Sequence, residues 1–428
     1  MNLDYKRLAL AILLLIIGIG LIAGIFWFIF LRSEADLDQT GGSGSVIPGG
    51  GLPDVGPGQD PNIISQGGGL PGTAGSEPQI DDSFEPRGTK VQADDYARGS
   101  FTFVRPVVGS EAEAVSVNLN QINYLDPSDS KFYRVGLDGL NKVMLSDHDF
   151  GMVEQVYWSP DGQKAILEYP DGANIVYDFS RDKRVTLPRG LQEPVWSQDS
   201  NQMAYKYVGG DYDTNWLMKA KADGSGSEAI EHMGDNYENV QSTWSPTGQV
   251  AAFYKETIGL NKEEIFLIGF NHENFESLEV DGIKFKGVWS PEGGRVLYHV
   301  IDINGGFRPV LWIVDAYGSN IGRNNFNLGL NTWVDKCVFA NMGEQTIYCA
   351  VPAELPEGAG LYPELFNDSE DLFYKVDLNT GISSLLAYPI TRDKQQVFQA
   401  KKLFISNDNR TLYFWDDLTA RVYDLRLK

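Results

Sequence analysis

Trp158-Ser159-Pro160-Asp161-Gly162, Trp244-Ser245-Pro246-Thr247-Gly248 and Trp289-Ser290-Pro291-Glu292-Gly293 are copies of one phrase, and Trp196-Ser197-Gln198-Asp199 is a looser fourth. A phrase that returns every few tens of residues marks a supersecondary unit copied along the chain, each copy burying its apolar face on the next. The copies share an internal order. An aromatic ends one strand, Pro-Asp-Gly or a relative turns the chain, and a second strand follows. Seven residues beyond each Trp stand Ala165, Met203, Ala251 and Val296, and nine beyond stand Leu167, Tyr205, Phe253 and Tyr298. Pro presets φ, Asp bonds back to the backbone and Gly takes the left-handed position, which is the chemistry of a tight hairpin. The period of two is that of a strand.

Used as a ruler, the phrase exposes degenerate copies at Val115-Ser116-Val117-Asn118, Phe339-Ala340-Asn341-Met342-Gly343 and Ile405-Ser406-Asn407-Asp408-Asn409, making seven in all. Third strands are expected at 132–135, 175–179, 216–219, 265–268, 311–314, 373–378 and 422–427, with fourth strands at 143–145, 184–187 and 383–386. Four short strands per unit of about 40 to 50 residues predict an all-β chain, a seven-bladed β-propeller of four-stranded antiparallel blades. The last copy has no fourth strand before Lys428, whereas 101–108 is a spare strand ahead of the first. Pairing 101–108 with 422–427 closes the ring and removes two open edges.

The Trp-Ser-Pro-Asp-Gly hairpin, followed by a strand ending in Asp-Gly as at Leu137-Asp138-Gly139, resembles the Pro-Asp propeller repeat of TolB-type proteins over residues 100–428. With its N-terminal segment the whole chain also resembles exported propeller proteins of candidate-phylum bacteria. The resemblance implies a fold and leaves the task open, because propellers host many unrelated functions.

Residues 8–31 are an uninterrupted uncharged, mostly apolar run. At ~1.5 Å per helical residue, it is long enough for the ~30 Å hydrocarbon core. Lys6 and Arg7 precede it, while Glu34, Asp36 and Asp38 dilute Arg32 on the other side. The positive-inside rule then predicts a cytoplasmic segment 1–7, a single transmembrane anchor 8–31 and everything beyond it outside the cell. A cleaved signal peptide ending near Ser33-Glu34-Ala35 is the alternative, against which the run is about twice too long. Residues 32–98 are rich in Gly, Pro and Ser and nearly free of large apolar side chains. Such a segment cannot offset its ordering entropy by burial, so it is expected as a disordered linker ahead of a propeller at 99–428.

The chain carries a formal net charge of −23, and setting aside Asp4, Lys6, Arg7 and Arg32 leaves the remainder more acidic still. That excludes a basic footprint for nucleic acid. No Gly-x-Ser-x-Gly elbow, His-Glu-x-x-His helix or phosphate loop occurs, and the four histidines (His148, His232, His272, His299) fit no ligand spacing. Asp211-x-Asp213 is a fragment of a calcium loop without its Gly or distal Glu. No catalytic residue, cofactor or metal is expected. Cys337 and Cys349 flank one hairpin almost symmetrically about Met342-Gly343. Outside the cytoplasm they read as a disulfide, with two buried thiols as the other possibility.

Turns between first and second strands are tight, whereas those between second and third strands are expected to be long at 207–215, 256–264, 301–309 and above all 351–371. In an up-and-down blade these emerge on one face, and long loops on a rigid scaffold are where binding lives. The 351–371 insert carries Leu361, Tyr362, Leu365 and Phe366, either as an interface anchor or as a packed cap. The expected role is a non-enzymatic, membrane-tethered interaction module for an extracytoplasmic protein, peptide or envelope polymer. An envelope structural protein and a degenerate propeller hydrolase are the alternatives.

Overall fold

Strand after strand, the repeat is laid out as the period requires. The computed structural model describes residues 93–118, 120–341, 343–365, 369–395 and 397–428. The expected anchor 8–31 and the expected linker up to residue 92 lie outside the described residues. Among the described residues no helix is long and apolar enough to cross a membrane.

Strand β1 (Ser100–Pro106) precedes the repeats. The first sheet holds β2 (Glu113–Asn118), β3 (Gln121–Asp126), β4 (Lys131–Gly136) and β5 (Val143–Met144). The second holds β6 (Gln155–Trp158), β7 (Lys164–Glu168), β8 (Asn174–Asp178) and β9 (Lys183–Leu187). The third holds β10 (Leu191–Trp196), β11 (Gln202–Tyr207), β12 (Trp216–Lys221) and β13 (Glu228–His232). The fourth holds β14 (Val240–Ser242), β15 (Val250–Gly259), β16 (Lys262–Gly269) and β17 (Leu278–Asp281). The fifth holds β18 (Ile283–Trp289), β19 (Arg295–Asp302), β20 (Arg308–Asp315) and β21 (Phe326–Asn327). Then come β22 (Cys337–Phe339), β23 (Thr346–Pro352), β24 (Asp371–Asp377), β25 (Ser383–Ile390), β26 (Ala400–Ile405), β27 (Thr411–Asp416) and β28 (Arg421–Arg426). These seven and β1 form an eight-stranded sheet in the order β22-β23-β24-β25-β1-β28-β27-β26, after five four-stranded antiparallel sheets.

The phrase owes its constancy to one serine. Its buried hydroxyl accepts the N–H five residues on: Lys164 to Ser159 at 3.0 Å, Gln202 to Ser197 at 2.9 Å, Val250 to Ser245 at 2.9 Å, Arg295 to Ser290 at 3.1 Å and Thr411 to Ser406 at 2.9 Å. Where an Asp follows two residues later, the hydroxyl donates to it, as from Ser159 to Asp161 at 2.6 Å. The turn closes at a left-handed residue, Gly162 with φ 64° or Ser200 with φ 60°. The tryptophans bind sheet to sheet. Trp158 Nε1 donates to the Ala114 carbonyl at 2.7 Å and Trp196 Nε1 to that of Tyr157 at 2.8 Å, each in the first strand of the preceding sheet. Trp158 also meets Phe132 of the preceding sheet edge-on at 5.3 Å. These two tryptophans therefore join one sheet to the next.

Apolar side chains of adjacent sheets form shared cores; Phe253 and Ile265 of the fourth sheet pack with Phe285, Val296 and Tyr298 of the fifth. The last sheet packs on the first in the same way, Tyr413 and Val422 against Val115, Ile122 and Tyr124. First strands neighbour one another, β2 with β6, β6 with β10, β10 with β14 and β22 with β26. Sheets packed face to face around their first strands, with the last returning to the first, make a β-propeller.

Strand β1 closes the chain by a different route from the one expected. Val104, Arg105 and Pro106 pair antiparallel with Leu425, Asp424 and Tyr423, as foreseen, but Ser100 to Phe103 pair parallel with Ala387 to Ile390 of β25. It changes partner midway and thus satisfies two edges. Residues ahead of β1 also bond to the strands. Ala97 is buried and donates its N–H to the Arg426 carbonyl at 2.8 Å, and Phe103 donates to the Asp94 carbonyl at 2.8 Å. Two expected loops are instead mostly strand. β15 and β16 run on to a tight turn at Leu260 and Asn261, and β19 and β20 leave only 303–307 between them. Thr257 pairs with Glu263 and Glu256 with Glu264 across this extended ladder, where high polarity hides a strand pattern.

Candidate functional site

Connections between second and third strands, and those leading into each new first strand, share one face of an up-and-down arrangement. On that face the chain enters each first strand, and there the polar residues gather. Three residues ahead of the phrase aromatic stand Gln155, Glu193, Gln241, Lys286, Lys336 and Lys402. All six are polar or charged, while the first copy has Ala112 at this place. The entrance is also where first strands slip register, between Glu113 and Ser116, Gln192 and Val195, Ile283 and Lys286, and Ala400 and Lys402. Ala114, Glu193 and Lys284 there take φ of 50°, 47° and 57°, the left-handed region that non-glycine residues seldom enter. Such bulges re-aim side chains beside functional sites.

Most of these groups are engaged. Lys206 donates to Glu193 at 2.7 Å and to the Val240 carbonyl at 3.1 Å. The Gln241 amide bonds Gly287 of the next sheet both ways, at 2.8 and 3.1 Å. Lys286 pairs with Asp335 at 2.8 Å and Lys336 with the buried Asp371 at 2.7 Å. Buried carboxylates hold the strand entrances in place. Glu263 accepts the N–H groups of Lys284 and Phe285, both at 2.9 Å, while Asp371 accepts that of Ala400 and Asp416 that of Gln399, both at 2.7 Å. Burial pushes the Asp371 and Asp416 carboxyls above the usual range, Lys336 opposing the shift at Asp371. His299 is buried beneath this layer, and burial pulls its imidazole down to about 4.

Among the described residues the side chains of Lys255 and Lys402 have no ion-pair or hydrogen-bond partner, and the Lys402 ammonium lies over the Phe404 ring, 5.4 Å from its centre. Burial lowers both pKa values, with Glu263 and Glu193 opposing at Lys255 and Asp335 at Lys402. Lys402 shares a cavity of about 290 Å³ with Glu113, Glu154, Gln155, Lys401 and Trp415, where the first, second and last sheets meet.

Around this mouth stand the loops. Residues 208–215 carry a 3-10 turn, Tyr212–Thr214, with Asp211 at its N-cap, whose backbone carbonyl accepts from the Thr214 hydroxyl at 2.6 Å. Among the described residues no group of three or more His, Cys, Asp or Glu is placed to hold a metal. The insert between β23 and β24 is packed on its neighbour. Gly358 donates to the Gly306 carbonyl at 2.9 Å, Gly360 to that of Phe307 at 2.8 Å, and Arg308 Nε to that of Leu355 at 2.7 Å. Ala359 is fully buried. Of the candidate anchors Leu361 is half-buried and Tyr362 is 56% exposed, whereas Phe366 and the Leu365 side chain lie outside the described residues. Cys337 and Cys349 stand opposite each other on β22 and β23, 4.1 Å apart at Cα, and are disulfide-bonded.

Motif search missed the mouth because its residues are of mixed type. A position fixed relative to the phrase and polar in six of its seven copies was the available signal.

No family model and no curated protein matches the chain. Solved structures do. One described as oligogalacturonate lyase in complex with manganese is 10% identical at a TM-score of 0.49, over 79% of this chain and 95% of that one. One described as the mitotic checkpoint complex is 11% identical at 0.50, over 86% and 99%. The β-propeller domain of Cps50 (Swd1) from Myceliophteria thermophila is 12% identical at 0.49, over 76% and 100%. Identities this low speak of fold alone.

Proposed function

We propose that this chain is a seven-bladed, TolB-type propeller held outside the cell by its N-terminal span, and that it works by binding and not by catalysis. In this reading the eight-stranded sheet is two blades bridged by β1. The observation that carries it is that the two most exposed apolar tips, Leu260 and Met152, stand on the loop face, while Leu140, Tyr317 and Ile382 expose apolar side chains on the opposite one. Leu260 is 94% exposed at the β15–β16 turn, Met152 is 80% exposed ahead of β6, and Tyr362 tops the insert. Tyr212 and Leu418 add to the same face. Apolar side chains presented on short, bonded loops bind at little ordering cost, because the scaffold is already rigid. Glu263, Asp371, Asp416 and His299 at the mouth are spent on backbone N–H groups, which favours recognition over acid–base chemistry. The partner is an extracytoplasmic protein or polymer. Photo-cross-linking residues placed at Leu260 and Tyr362 in the full chain, in its own envelope, should yield a shared adduct. Placed at Leu140 and Tyr317, on the face of the third-to-fourth-strand turns, they should yield none. The reverse pattern would overturn the assignment.

A further inference from the structure

We propose that Asn304 is a site of self-modification, where the chain converts its own asparagine to isoaspartate and so loosens the insert between β23 and β24; the proposal goes beyond the loop-face reading and does not depend on it. Asn304-Gly305 is the one Asn-Gly pair in the sequence, and it lies in the turn between β19 and β20. Asn304 is exposed, and among the described residues neither its side-chain amide nor the Gly305 N–H has a hydrogen-bond partner. The turn itself requires the glycine, because a Cβ at 305 would lie 2.7 Å from Oδ2 of Asp302. The same missing side chain leaves the Gly305 nitrogen unscreened beside the Asn304 amide. The reaction needs only water. Once base has taken its proton, the Gly305 nitrogen attacks Cγ of Asn304, closing a five-membered succinimide while the Cγ–Nδ2 bond breaks and the amide nitrogen leaves as ammonia. Water then opens the ring at one of its two carbonyls. One opening gives aspartate; the other gives isoaspartate, whose main chain runs through the former side chain.

The surroundings of the pair give this chemistry a consequence. Oδ1 of Asp302 accepts the Asn304 N–H at 3.0 Å and Nδ2 of Asn261 at 3.1 Å, and Asn261 accepts the Ile303 N–H at 2.9 Å. The tip of the β15–β16 hairpin is thereby tied to this turn. On the other side, the Gly306 carbonyl accepts the Gly358 N–H of the insert at 2.9 Å. The Gly305 carbonyl accepts from Nη1 of Arg308 at 3.1 Å, and Nε of that arginine holds the Leu355 carbonyl. Isoaspartate adds a methylene to the main chain between Ile303 and Gly305. The short turn 303–307 cannot absorb it and keep both carbonyls where Arg308 and Gly358 need them. Either product also places a carboxylate beside Asp302 and towards Glu357, whose Cγ stands 3.0 Å from where a Cβ on Gly306 would lie. Like charges repel. The insert is docked through these few loop bonds and not through a ladder, so it is the element that opens first.

The test ages the full-length protein, folded in detergent micelles, at mildly alkaline pH. Peptide mass spectrometry follows the amide-to-acid change at residue 304, and an isoaspartyl methyltransferase reports the isoaspartate. Position 304 should convert at least about tenfold faster than the other asparagines, all of which precede residues with side chains. A glutamate-specific protease, applied briefly to each aged sample, should cut the insert about threefold faster or more once conversion is complete. Asn304→Gln, which would have to close a larger ring, should keep both its mass and its slow cleavage. A residue 304 that stays unmodified in the folded protein while the same peptide converts in urea would overturn the proposal. So would full conversion with unchanged cleavage of the insert, or an Asn304→Gln protein whose insert loosens with age as fast as that of wild type.

Discussion

The backbone N–H of Val334 donates to Nδ1 of His299 at 3.1 Å. A nitrogen that accepts cannot carry a proton, so the fold takes His299 in its neutral form, and burial holds its pKa near 4. The folded pKa lies below the ordinary value of about 6.5. The stabilisation is therefore full above about pH 6.5 and is lost as the pH falls toward 4. The shift corresponds to about 3 kcal/mol. His299→Asn keeps an acceptor near Val334 and removes the titration. Urea unfolding at stepped pH should show wild type losing about that much more than the variant across this window. Parallel curves for the two would refute the assignment.

The disulfide joins residues twelve apart in sequence at a directly opposed pair. Ala340 donates to the Thr346 carbonyl at 2.9 Å, which makes the Cys337–Cys349 pair one of the closer, non-hydrogen-bonded kind. Chain entropy gives the crosslink a worth of about 3 kcal/mol. Reduction should lower the urea midpoint accordingly. Two alkylatable thiols in protein taken from the envelope would contradict the bridge.

Ser245 and Ser290 hold the hairpins by accepting buried N–H groups at 2.9 and 3.1 Å. Replacing either with Ala leaves a donor unsatisfied and should cost about 1–3 kcal/mol. A denaturation midpoint within error of wild type would mean that the N–H finds water. This test bears on why the phrase is repeated at all.

Closure through β1 makes a sharper claim. Val104 is 1% exposed where β1 passes to β28, whereas the Arg105 side chain is half open and pairs with Asp424. Val104→Asp places an unpaired charge in a core and should unfold or aggregate the protein. Arg105→Ala breaks a part-exposed pair and should cost no more than about 1 kcal/mol. Similar melting temperatures for the two variants would dismiss β1 as a closing strand.

The strands were legible because a propeller repeats its errors as well as its rules. Trp158 and Trp196 are spaced by the unit itself, and Gly162 and Ser200 mark one left-handed position in two chemistries. The β15–β16 ladder was not legible, since Lys255, Thr257 and Glu263 alternate polar with polar. The parallel pairing of Phe101 with Tyr388 was hidden for another reason: one strand's pattern does not reveal that it will serve two edges. The mouth was half legible. Gln155, Glu193 and Lys402 keep their place relative to the phrase, but only the folded chain tells Lys206, which has Glu193, from Lys255, which has no such partner.

The insert supplies the last test, because its docking depends on a missing side chain. A Cβ on Gly360 would lie 2.5 Å from Cδ1 of Ile301 and 2.7 Å from the Phe307 carbonyl oxygen, the same carbonyl that accepts the Gly360 N–H. Neither neighbour yields easily, since Ile301 is fully buried in β19. Gly360→Ala should therefore lift the insert and leave the sheets alone. Global melting should move by a few degrees at most, because no ladder bond is lost. Local opening should increase, and Glu354, Glu357, Glu364 and Glu370 offer a glutamate-specific protease four sites within the insert. Cleavage there should be faster in the variant than in wild type, by a factor read directly from peptide appearance. An unchanged cleavage rate in a folded Gly360→Ala protein would show that the insert is not held by this contact. Faster cleavage joined to an unaltered cross-link at Leu260 would instead separate the insert's docking from partner capture.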